Sequence, residues 1–136
     1  MRHRNSRGSG LVETLVGCIF IIPVVLFLID CSSVVIGQTA NDALAKQCAR
    51  AAAECTDAAS GTAAANAIIA QYTSANPGLV TAPTCTIVDL AGNWSDVQAN
   101  TTYTINMPVP IPFQGDNHMT FQARSVEPVV SKLGGP

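Results

Sequence analysis

Charge is scarce in this chain, and so are large side chains outside a single stretch. Only 12% of the residues are charged, about half the usual share. No acid precedes Glu13, so the first twelve positions carry positive charge alone. The two histidines, His3 and His118, lie far apart in sequence. There is no C-x-x-C or Cys/His spacing of a zinc site, no H-E-x-x-H, no nucleophile elbow and no phosphate-binding glycine loop. Asp89 and Asp96 are the carboxylate pair that acid–base chemistry would choose, but acids at strand ends are ordinarily just solvated. These absences predict a non-enzymatic protein with no metal and no cofactor. A formal charge of −2 likewise lacks the electrostatic footprint of a nucleic-acid binder, so no nucleic-acid partner is expected. Aromatics make up 5% of the chain, so a domain built from the rest buries a thin core and leans on disulfides or partners.

What is present in force is one apolar run, Leu11 to Ile29, whose only charge is Glu13. As an α-helix it rises roughly 28 Å at ~1.5 Å per residue, close to the ~30 Å hydrocarbon thickness of a bilayer. Arg2, Arg4 and Arg7 precede it, whereas from Asp30 onward eight acids outnumber four bases. That asymmetry predicts an N-terminus in the cytoplasm and the rest of the chain across the membrane. A removable secretory signal normally has a shorter apolar core and ends in an A-x-A-like site, which Asp30-Cys31-Ser32 does not supply. A lipobox reading of Leu15-Val16-Gly17-Cys18 fails on position, because the apolar run continues well beyond Cys18. Glu13 stands just inside the run, where an ionisable group is costly and marks a functional position. Pro23 removes one helix hydrogen bond and is expected to bend the span.

Beyond Asp30 the helical pattern continues, rich in alanine, the best helix former. Gly37 is the one breaker before Ser60-Gly61, where the first helix is expected to end. Leu44, Cys48, Ala51, Cys55 and Ala58 form a stripe of small residues at helical spacing, suited to close approach of a sheet or another helix. Ala63 to Tyr72 reads as a second, shorter helix stopped by Asn76-Pro77-Gly78. From Thr84 the period becomes two. Strands are expected at Thr84–Leu90, Thr101–Met107 and Met119–Ser125. Pro108 to Pro112 suggests an extended edge or loop, Gly115-Asp116-Asn117 a turn, and Gly134-Gly135-Pro136 a frayed tail. The fold class is therefore α+β: a transmembrane helix prolonged into a long Ala-rich helix and packed by a small antiparallel sheet.

Five cysteines are many for a chain of this length. Cys18 lies in the apolar run. Cys31, Cys48, Cys55 and Cys85 fall on the side assigned as extracytoplasmic, where thiols oxidise. In a continuous helix Cys48 and Cys55 are separated by about 10.5 Å of rise, too far for the roughly 7 Å between bridged Cα atoms. Cys31 is farther still and sits at the membrane edge. Cys85, on the first strand, is the partner that can swing onto the helix. The pairing expected is Cys55 with Cys85, and Cys48 with Cys85 as second choice.

The spacing of Gly8-Ser9-Gly10-Leu11-Val12-Glu13 places an acid five residues after a glycine that ends a basic segment. It resembles the cleavage signature of type IV prepilins and pseudopilins. With Leu11-Val12-Glu13 opening the helix, Asp30 closing it and Ala49-Arg50-Ala51-Ala52-Ala53 further on, the N-terminal half resembles the TadE-like family. Those are minor pilins or pseudopilins of tight-adherence (Tad/Flp) pilus systems. Thr14, the distance of Pro23 from the acid, and Cys48 in place of a common glycine depart from the family pattern. The resemblance implies an inner-membrane, single-pass pilus component, with processing by a prepilin peptidase after Gly8 so that Ser9 becomes the first residue. It also implies that Glu13 pairs with a neighbouring subunit's α-amine, and that Glu13, Gly17, Pro23 and Asp30 mark the helix-packing surface. Its partners would be other pilins, Tad assembly-platform proteins, the peptidase and the lipid bilayer. The chain then divides into a basic cytoplasmic leader at 1–8, a transmembrane helix at 9–30, an extracytoplasmic helical region at 31–75 and a small β-rich region at 76–136. The rival from another class is a permanently anchored envelope protein whose outer domain binds a soluble or cell-wall ligand.

Overall fold

The computed structural model of the chain describes residues 9–75, 80–107 and 118–130. The prolines at 108–112 and the turns and tail read at 76–78, 115–117 and 134–136 lie outside them, as does Gly8. Two helices precede a three-stranded antiparallel sheet, an α+β architecture. Helix α1, Ser9–Ala53, is 45 residues long, about 68 Å at ~1.5 Å per residue. It runs unbroken through Pro23, Asp30 and Gly37. Helix α2, Ala58–Ala75, turns back along it. Strands β1 (Val80–Asp89), β2 (Asp96–Asn106) and β3 (His118–Pro128) lie in that order across the sheet.

The break between the helices falls at residues 54–57, not at Ser60-Gly61, which lie inside α2. Asp57 decides this. Its carboxylate accepts the backbone N–H of Ser60 at 2.8 Å, and its carbonyl accepts that of Gly61 at 3.0 Å. Asp57 is thus the N-cap of α2, three residues ahead of the N–H it satisfies. Gly61 is small for a different reason. A Cβ placed there would stand 2.5 Å from Cζ2 of Trp94, so the glycine admits an indole ring instead of ending a helix. Gly37 repeats the device: a Cβ there would meet Cε2 of Phe121 at 2.8 Å.

All three strands are longer than expected: β1 and β2 begin four and five residues earlier and stop one residue short of Leu90 and Met107, and β3 runs past both expected ends. Strand β1 carries a register shift between Thr81 and Thr84, next to Pro83. Proline has no N–H to give the ladder, and an irregularity is where a strand accommodates it. The alternation of β2 is realised in burial, with Val97, Ala99, Thr101, Tyr103 and Ile105 facing the helices. The buried face of α1 is Asn41, Leu44, Ala45, Cys48, Ala49, Ala52 and Ala53. The small-residue stripe therefore holds only in part: Leu44 and Cys48 are buried, Ala51 and Cys55 are half-buried, and Ala58 is exposed. Among the described residues two clusters make up the core. The larger joins Leu44, Cys48, Ala49 and Ala65 to Ala99, Tyr103, Ile105, Met107 and Phe121. The smaller gathers Ala52, Trp94, Val97 and Val129 beside the inter-helix break.

Candidate functional site

The feature that sets this molecule apart from an ordinary small domain is that its head occupies only half of α1. From Gly10 to Ser32 every position is exposed except Gly17 and Asp30, which are half-buried. Exposed here means bare hydrocarbon: Leu11 is 72% exposed, Phe20 70% and Phe27 66%. The segment has a mean hydropathy of 2.7 over its most apolar eighteen residues. Bare apolar area of this extent belongs in lipid or against other apolar surface. Thr14 and Ser32 within this segment, and Ser33 just beyond it, are already satisfied within the helix. Thr14 donates to the Gly10 carbonyl at 2.9 Å, Ser32 to Leu28 at 2.9 Å and Ser33 to Ile29 at 3.0 Å. Such back-bonding suits a medium with no water to hydrogen-bond. The chain therefore has one N-terminal helix long and apolar enough to sit in and span a bilayer.

Glu13 lies on this bare segment and is exposed, with no ion pair to it among the described residues. Gly17, one turn on, shares its face. Pro23 is exposed in mid-segment, and Asp30 stands where the bare segment gives way to the head. One Asp30 carboxylate oxygen is buried without a hydrogen-bond partner among the described residues. Ser9 opens the helix.

The head begins at Val34 and Gly37, which pack on the larger cluster and on Phe121. Buried polar contacts then fix the sheet on the helix. Thr101 Oγ1 donates to Asn41 Oδ1 at 2.8 Å, both residues being buried. The Asn41 Nδ2 atom and Gln98 Oε1 are buried without partners among the described residues. Helix α2 is held at its C-terminal end by Tyr72, whose ring meets that of Tyr103 edge-on with centroids 6.2 Å apart. Burial, aided by a hydrogen bond with Tyr72, pushes the Tyr103 hydroxyl up to about 12.

The far end of the head is organised by Asp89, expected to be a merely solvated strand-end acid, and by Trp94, to which the sequence assigns no role. Asp89 collects the backbone N–H groups of Ala91, Gly92 and Trp94 at 3.1, 3.1 and 2.8 Å. Its carboxylate is thereby committed to shaping a turn, which accounts for it without any acid–base pairing with Asp96. The turn holds Trp94 at φ 56°, a left-handed conformation uncommon for a non-glycine residue. From there the indole Nε1–H donates to the Cys55 carbonyl at 2.9 Å. The lone Trp and a glycine inside an Ala-rich helix were the available signals, but nothing in one dimension connects them.

Cys85 lies against Cys48. The Cys48 Sγ also lies 3.9 Å from the Ala65 carbonyl. Interaction with Cys85, then burial, push Cys48 up, while the interaction with Cys48 holds Cys85 below its ordinary value against the opposing effect of burial. The Cys55 sulfur lies elsewhere, 3.4 Å from the Ala51 carbonyl. The reason is register. Cys85 is opposite Thr101 in the sheet, and Thr101 is bonded to Asn41, which sets β1 beside the middle of the head's helix and not its end. All five cysteines carry free thiols in this structure.

No family model, curated protein or solved structure matches the chain.

Proposed function

We propose that this chain is a non-enzymatic, pilin- or pseudopilin-like subunit of the TadE-like kind, anchored in a bacterial inner membrane and acting in assembly of a tight-adherence pilus. The observation that carries the reading is the division of α1. One unbroken helix offers bare hydrocarbon over its first half and carries a small head on its second. A subunit of that shape can rest in lipid and later exchange lipid for the apolar helices of its neighbours, because both present the same kind of surface. The arginines at 2, 4 and 7 orient it with the head outside the cytoplasm. Glu13, exposed near the start of that surface, is available to a neighbour's α-amine where little water screens the attraction.

Processing tests the reading. Full-length protein expressed in a host with a prepilin peptidase, extracted from its membranes and weighed by mass spectrometry, is expected as a species beginning at Ser9. Recovery only of chains that keep Arg2 to Arg7, with none in sheared filaments, would favour a permanent anchor whose head binds a soluble or cell-wall ligand.

A further inference from the structure

We propose that Cys48 and Cys85 are a redox site: they form the head's disulfide, clamping β1 to α1 and closing a loop that contains all of α2. The two residues lie on different elements, where the β1 edge of the sheet reaches the long helix. Cys48 is fully buried within the larger cluster, and Cys85 is a half-buried residue packed against it. Cys85 packs on the cluster that holds Cys48, close enough for the two thiols to act on each other, whereas Cys18 and Cys31 are exposed on the helix below the head and Cys55 bonds back to the Ala51 carbonyl of its own helix. The surrounding side chains give the pair no other chemistry. Among the described residues no third histidine, cysteine or carboxylate joins them in a metal-binding group.

Their unequal settings assign the order of events. Cys85 is half-buried and Cys48 fully buried, so Cys85 is the thiol an incoming disulfide reaches first. The oxidant required is a disulfide-bearing protein or small disulfide of the extracytoplasmic space. The Cys85 thiolate attacks one sulfur of that disulfide and displaces the other as a thiolate, leaving a mixed disulfide. Cys48 then surrenders its proton to the displaced thiolate and attacks Sγ of Cys85, releasing the oxidant's second sulfur. Two protein thiols are oxidised to one disulfide, and the oxidant's disulfide is reduced to two thiols. Cys48 needs no access to solvent in this sequence, so its burial is no obstacle. The bond would matter because the core it reinforces is thin, and the helix residues that build it are mostly alanine: Ala49, Ala52 and Ala65 beside Leu44 and Cys48.

This inference rests on the orientation given under the proposed function, which puts the head in an oxidising compartment. The test uses the full chain in bacterial inner membranes. Free thiols are trapped with acid, alkylated with N-ethylmaleimide after denaturation, and mapped by non-reducing digestion, while protease added to intact spheroplasts reports the side on which the head lies. The expected result is a digestible head in which Cys48 and Cys85 peptides are joined and Cys18, Cys31 and Cys55 are alkylated. Cys55→Ser should keep the joined pair and Cys85→Ser should abolish it. Reduction should lower the head's thermal midpoint by on the order of 10 °C, read from Trp94 fluorescence, and leave the Cys85→Ser protein unmoved. A digestible head with Cys48 and Cys85 both alkylated, or with Cys85 joined to Cys55, overturns the disulfide and leaves the proposed function standing. A protected head with free thiols overturns both together.

Discussion

Trp94 lies over Gly61 so closely that a single added carbon would collide with it, at 2.5 Å from Cζ2 and 2.7 Å from Cη2. The same indole donates its N–H to the Cys55 carbonyl, so one side chain ties the β1–β2 turn to both sides of the inter-helix break. Two effects of opposite sign meet at Gly61. Alanine would favour the helix by about 1 kcal/mol, but overpacking a rigid ring against helix backbone costs roughly 1–3 kcal/mol. The clash should win. Gly61→Ala is expected to lower the urea midpoint of the head, followed by Trp94 fluorescence, and to shift the emission of the native state. Gly10, where an added Cβ meets nothing within 4 Å, should accept alanine without either change.

The Asn41–Thr101 bond is predicted to show the asymmetry of buried polar groups. Thr101→Val keeps the shape but strands Asn41, whose Nδ2 already lacks a partner among the described residues. The expected loss is about 1–3 kcal/mol. Changing both residues, Asn41→Leu with Thr101→Val, removes the stranded group and should recover most of it. A double-mutant cycle from denaturant unfolding in detergent checks this. Additive losses would mean that the two side chains are not coupled.

Asp57 makes the head's stability depend on pH in a stated direction. Its hydrogen bonds from Ser60 hold its pKa below 3.8 in the folded state. A depressed folded pKa contributes stability that is complete above the unfolded value and is lost as pH falls through the folded one. Asp57→Ala should therefore lower the thermal midpoint at neutral pH, and the gap to the parent protein should narrow as the pH is taken below 3.8. Asp57→Asn, also a good N-cap, should fall between the two at neutral pH.

Glu13→Ala should leave membrane insertion intact or improve it, since a charge leaves the apolar run. If the carboxylate pairs with a neighbour's amine, recovery of the variant in sheared filaments should nevertheless fall well below that of the parent. Equal recovery would remove Glu13 from subunit packing. Glu13 lies far from the head along α1, so the head's urea midpoint should not move in either case.

By itself the sequence determined the features that rest on local chemistry. An unbroken apolar run is long and apolar enough to span a bilayer because its length and composition match lipid. Threonine-rich alternation makes strands because their side chains point to opposite faces by turns. Both are visible in one dimension, and so was the α+β class. The tertiary structure decided what depends on which surfaces meet. In α1 beyond Asp30 alanines stand on several faces, so helical spacing alone leaves the buried face ambiguous, and contact with the sheet selects Ala45, Ala49 and Ala52 over Ala51. Gly37 and Gly61 look like breakers in one dimension because a glycine costs helix stability locally; each instead leaves room for an aromatic ring from a strand or turn distant in sequence. The neighbour of Cys85 was likewise open until the Cys85–Thr101 register and the Thr101–Asn41 bond set β1 along the helix. Those three outcomes are distances between elements, and helical and strand periodicities carry no information about them.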